Sequence, residues 1–71
     1  MTKLHIYTST IRLKDALKFA GEVENGAVAK MLIKDEKIKV NGEICVICGK
    51  QLSEGDTFEI DGIVYEIHTV K

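Results

Sequence analysis

Residues 26–42, GAVAKMLIKDEKIKVNG, change their hydrophobic period part-way along, and that change joins a helix directly to a sheet. Ala29, Leu32 and Ile33 recur at spacings of three and four, which put them on one side of a helix, with Lys30 and Lys34 on another. Lys37-Ile38-Lys39-Val40 alternates polar with apolar, the two-residue repeat of a half-buried strand. Asn41-Gly42 follows, the dipeptide that best tolerates the positive φ angles of a tight hairpin turn. A basic helix therefore feeds a basic strand that closes in a hairpin.

The flanking segments read as support. Residues 3–7 alternate around Leu4 and Ile6 and predict a short first strand. Thr8-Ser9-Thr10 supplies hydroxyls suited to capping a helix over residues 11–20, with Leu13, Ala16, Leu17 and Ala20 buried and Arg12 near its start. Gly21 suits a left-handed helix end, Val23 reads as an apolar plug, and Asn25 as the cap of the second helix, which ends near Asp35. Residues 43–46 form the return strand of the hairpin, and residues 49–55 a loop anchored by Leu52. Residues 57–60 are the next strand, Asp61-Gly62 is a second tight turn, and residues 63–70 are a long final strand. The first strand is expected to pair with the last, and Phe19 and Phe58 to lie in the core. The fold class is α+β, with two N-terminal helices packed on a small antiparallel sheet and a short N-terminal strand.

Seventy-one residues are expected to make one domain, residues 1–71, which buries only ~60% of its unfolded surface. The longest apolar run, residues 44–48, is far below the roughly 20 residues of a membrane span. The amino terminus lacks the apolar core of a signal peptide, so the two cysteines read as reduced thiols in a cytoplasmic protein. The net charge of −1 conceals a polarity. Residues 1–52 hold nine basic groups against six acids, +3, whereas residues 53–71 hold one against five, −4. That excludes a strong general affinity for polyanions and leaves room for a local basic face.

In order along the chain stand Arg12-Leu13 with Ala16-Leu17, then Ala29-Lys30 with Leu32-Ile33, then Lys37-Ile38-Lys39-Val40-Asn41-Gly42-Glu43, Gly49-Lys50 with Leu52, and Gly55-Asp56. This ordered set resembles the small RNA-binding domain named after small-subunit ribosomal protein S4, the alpha-L motif, and most of all its stand-alone bacterial members. The resemblance covers nearly the whole chain. It implies an RNA surface built from the two helices and the following strand, with Arg12, Lys30, Lys37, Lys39 and Lys50 at basic positions of the pattern. Lys34, on the same helix side as Lys30, and Asn25-Gly26 at the start of that helix complete the candidate RNA-binding set. The chain departs from the pattern in three places. Asn25-Gly26 stands where many members carry Ser-Arg, Ile47-Cys48 where stand-alone members often carry a basic pair, and Lys14 where an acid usually follows Arg-Leu.

Lys and Arg neutralise phosphates and release counterions, so the basic set fits RNA; it also fits an ordinary solvated surface with ion pairs to Asp35, Glu36 and Glu43. Cys45-Val46-Ile47-Cys48 is half of a zinc knuckle without the other half, and His5 and His68 are isolated in sequence. No metal, cofactor or catalytic residue is expected. Three classes stand at this point. They are a non-enzymatic RNA-binding protein for structured ribosomal or ribosome-associated RNA, a protein-interaction module on the same fold, and a small Cys-x-x-Cys metal or thiol protein.

Overall fold

The computed structural model describes residues 1–70. Its elements run β1 (Thr2–Ile6), β2 (Thr10–Arg12), α1 (Leu13–Phe19), α2 (Gly26–Lys34), β3 (Ile38–Val40), β4 (Glu43–Ile44), β5 (Gln51–Ser53), β6 (Thr57–Ile60) and β7 (Ile63–Thr69). Five strands form one sheet in the order β1-β7-β6-β3-β4, and β2 pairs with β5 in a separate two-stranded ribbon.

The change of period at residue 37 is real. Ala29 and Ile33 are buried on α2, and Ile38 and Val40 are buried on β3 while Lys39 between them is exposed. Asn41 and Gly42 sit at φ 51° and 86°, the pair of positive angles that the twist of a two-residue hairpin favours. Asp61 and Gly62 repeat the device between β6 and β7, at 50° and 78°. The side chain of Asn25 accepts the backbone N–H of Val28 at 3.0 Å, so the second helix is capped as its sequence requires.

The sheet is mixed, not antiparallel as expected. β1 does pair with β7, but in parallel, with Leu4 opposite Ile67 and Ile6 opposite Thr69. Alternation specifies which side chains are buried and carries no strand direction. A parallel partner needs a crossover of about a dozen residues or more, and residues 7–62 supply it.

The start of α1 also differs. Thr10 and Ile11 are taken into β2, where Ile11 lies opposite Leu52, and the Thr8 hydroxyl donates to the Thr10 carbonyl at 2.6 Å. The helix begins after Arg12, whose side chain makes no capping bond. Its first N–H groups are satisfied by another segment: Leu13 donates to the Lys50 carbonyl at 2.8 Å and Lys14 to the Cys48 carbonyl at 3.3 Å. Correspondingly, the expected loop at residues 49–55 contains β5, with Leu52 fully buried.

Leu13, Ala16 and Leu17 of α1, Ala29 and Ile33 of α2 and the inward residues of the strands belong to one buried cluster, with Phe58 its largest fully buried side chain. Phe58 stacks on Tyr65 with ring centroids 5.0 Å apart. Phe19 is not in the core; it is 54% exposed. It lies two residues beyond Leu17, about 200° round the helix, and therefore on the opposite side from the buried stripe.

Candidate nucleic-acid interface

Arg12 and Lys50 are distant in sequence and adjacent in space. Arg12 ends β2 opposite Gln51, and Lys50 precedes Gln51 while its carbonyl holds the first N–H of α1. Both side chains are exposed. The ribbon that the sequence did not reveal is what brings these two cations to the start of the first helix.

Lys30 and Lys34 are one turn apart on α2, both exposed, and Asn25 and Gly26 form the helix start, whose first turn contains no acid. The helix ends through a left-handed residue, Glu36 at φ 60°. The Glu36 N–H donates to the Ile33 carbonyl and the Lys37 N–H to that of Leu32, both at 3.1 Å. Lys37 thus belongs to the connection rather than to the strand, and it too is exposed. Lys39 projects from β3 on the side away from Ile38 and Val40, in register with Glu59 on β6 and Ile44 on β4.

Among the described residues, none of Arg12, Lys30, Lys34, Lys37, Lys39 or Lys50 has a carboxylate within 4.0 Å; the pairs to Asp35, Glu36 and Glu43 that the alternative of an ordinary ion-paired surface calls for do not form, and Lys50 acts on Asp56 only from beyond contact. Ion pairs occur elsewhere, Lys18 with Asp15 at 3.6 Å and His68 with Glu54 and Glu66 at 3.3 and 2.6 Å. The basic side chains are therefore solvated rather than committed, and each retains its full set of donors.

The acidic carboxyl-terminal segment is, by contrast, internally bonded. The Glu54 carboxylate accepts the Thr69 N–H at 2.7 Å and the Thr69 hydroxyl at 3.0 Å, which holds its pKa below the usual carboxylate range. Asp56 accepts the Ser53 N–H at 2.8 Å and the Asn41 amide at 3.3 Å, and its pKa is also lowered, chiefly by the Ser53 bond. Tyr65 donates its hydroxyl to Glu22, so the phenol pKa is raised.

Cys45 and Cys48 are unbridged and half-buried, packed against the core beside the loop that supports α1. Among the described residues no group of three or more His, Cys, Asp and Glu side chains is placed to hold a metal ion. His5 and His68 are register partners on β1 and β7, with ring centroids 5.8 Å apart. The expected pairing of the first strand with the last thus brings the two histidines side by side. No helix among the described residues is long and apolar enough to cross a membrane.

A family model described as S4 domain matches residues 4–68. No curated protein matches the chain. Among solved structures, the 30S ribosomal protein S4e from Thermoplasma acidophilum is similar, with a TM-score of 0.62 at 19% identity over 83% of this chain and 31% of that one. The chain thus spans less than a third of that ribosomal protein, and at this identity the likeness describes the fold.

Proposed function

The chain belongs to the S4 domain family, and from that premise we propose that it is a non-enzymatic, cytoplasmic RNA-binding protein. Its target is structured RNA, ribosomal or ribosome-associated, held by shape and phosphate contacts. The observation that carries this reading is the set of exposed cations that make no ion pair within 4.0 Å: Arg12 and Lys50 beside the first helix start, Lys30 and Lys34 along α2, and Lys37 and Lys39 around β3. Solvated ammonium and guanidinium groups gain by replacing condensed counterions on a phosphate backbone, and they do so without desolvating a partner carboxylate. Asn25 and Gly26 contribute the acid-free helix start, whose N–H groups suit a phosphate oxygen. Lys39, opposite Glu59, is the weakest member of the set.

RNA crosslinking in cells, followed by sequencing of the attached RNA, tests the reading. Enrichment of one structured ribosomal region is expected. Background RNA together with a stoichiometric protein partner would instead support an interaction module on the same fold, a reading that the exposed Ile47 favours.

A further inference from the structure

The five-stranded sheet has two open edges, β1 and β4. On β1 the exposed residues are Thr2, Lys3 and His5, polar side chains of the kind that discourage strand addition. The β4 edge is short and carries the charged Glu43, but beyond it the exposed side chains are aliphatic. Ile44, Val46 and Ile47 are 52%, 47% and 62% exposed within four residues of chain.

The hairpin register fixes how this edge presents its backbone. Val40 and Glu43 flank the turn as partners, and the Cys45 N–H donates inward to the Ile38 carbonyl at 3.0 Å. Backbone groups alternate in direction along a strand, so the N–H and C=O of Ile44, between Glu43 and Cys45, face away from β3. Val46 makes no backbone hydrogen bond among the described residues. Free backbone donors and acceptors and exposed aliphatic side chains therefore coincide. Glu43 and Lys50 both border the shallow groove along these residues, so one patch carries both signs of charge.

We propose that the β4 edge is a homodimer interface: a second copy of this chain adds its own β4 edge antiparallel, continuing the sheet across a two-fold axis. An isologous contact needs a self-complementary patch, and opposite charges bordering one apolar strip meet that need, Glu43 of each copy approaching Lys50 of the other. The outward backbone groups set the register, Ile44 of each copy opposite Val46 of the other. Cys45 then meets Cys45 on the axis as a non-hydrogen-bonded pair, where Cα atoms lie about 4.5 Å apart, within the range a disulfide spans.

Sedimentation velocity on the full chain under reducing conditions tests this, over about 5 to 500 μM, the range in which micromolar to sub-millimolar dissociation constants are read. The mass should rise from 7.9 kDa toward twice that value. Val46→Lys, at an exposed position, should keep the parent circular-dichroism spectrum and weaken association at least about tenfold, since each lysine would replace the aliphatic contact with Ile44 of the other copy and the two like charges would lie diagonally about the axis. A parent that stays monomeric throughout, or a folded Val46→Lys that dimerises like the parent, would overturn the proposal. A second readout uses glutathione disulfide as oxidant on the Cys48→Ser chain. The Cys45 thiolate displaces one glutathione, and the second copy's Cys45 thiolate displaces the other to leave an intermolecular disulfide. Covalent dimer is expected at concentrations where the parent dimerises; a glutathione adduct alone would refute the register.

Discussion

Asn41 holds two turns together, and replacing it separates two costs. Its Oδ1 accepts the Thr57 N–H at 2.9 Å and lies 3.4 Å from the Thr57 hydroxyl, while its Nδ2 donates to Asp56 at 3.3 Å. The backbone adds an N–H bond to the Thr57 carbonyl at 2.9 Å, which substitution leaves intact. The residue sits at φ 51°, a region that Asn and Gly enter far more readily than Ala. Asn41→Gly removes the side-chain bonds and relaxes the backbone. One well-formed bond and two long ones amount to about 1–1.5 kcal/mol, because the sites are exposed and water replaces part of the loss. Asn41→Ala loses the same bonds and adds about 1 kcal/mol of left-handed strain, for a total near 2–2.5 kcal/mol. In a chain of this size each kcal/mol lowers Tm by roughly 4–8 °C. Urea titration followed by circular dichroism should therefore rank the parent above Asn41→Gly and that above Asn41→Ala. If Asn41→Gly unfolds with the parent, the side-chain clasp contributes nothing. If the two variants coincide, the positive φ carries no strain.

Three further outcomes follow from the same structure. Gly42 lies at φ 86° with open space around the position of a Cβ, so Gly42→Val should cost about 1 kcal/mol or more from backbone strain alone; melting with the parent would contradict the hairpin geometry. Asp56 has a folded pKa below its ordinary value, so its contribution is present above about pH 4 and is lost as pH falls through the folded pKa. Asp56→Asn should flatten that acid limb in urea titrations at stepped pH, and an unchanged limb would show that Asp56 does not govern it. The chain purified under reducing conditions should carry no stoichiometric zinc, and Cys45→Ser with Cys48→Ser should stay folded; native mass spectrometry finding one zinc per chain would reverse this.

What the sequence made legible were features written locally. The α2–β3 stretch, both positive-φ turns and the Asn25 cap follow from spacing and turn chemistry within a few residues, and each is present. What escaped depends on partners far along the chain. Thr8-Ser9-Thr10 matches a capping signal, yet pairing of Ile11 with Leu52 captured the segment as strand. That ribbon juxtaposes Arg12 and Lys50, which no local pattern announces. The direction of β1 escaped for the same reason, since alternation is identical in parallel and antiparallel strands. Residue type points Phe19 to the core, whereas its helical position two beyond Leu17 sets it outside. For the basic set, alternation correctly separated Lys39 from Ile38 and Val40. It could not reveal that Glu59 stands beside Lys39.

That neighbour shapes the measurement that tests the central claim most directly. Lys39→Glu would set two carboxylates opposite each other on β3 and β6, a destabilising pair, so Lys39→Gln is the cleaner change. Lys30→Glu and Lys37→Glu, both at exposed positions without ion pairs, complete a triple variant whose folding should match the parent. Equilibrium binding to the ribosomal RNA region recovered by crosslinking should then be measured across a salt series. Parent binding should weaken with a log–log slope of about −2 to −4, as three to five phosphate contacts require. The folded triple variant should bind far more weakly, with a shallower slope. A folded triple variant that binds the same RNA with the parent's affinity and slope would remove Lys30, Lys37 and Lys39 from recognition and contradict the basic helix–strand account.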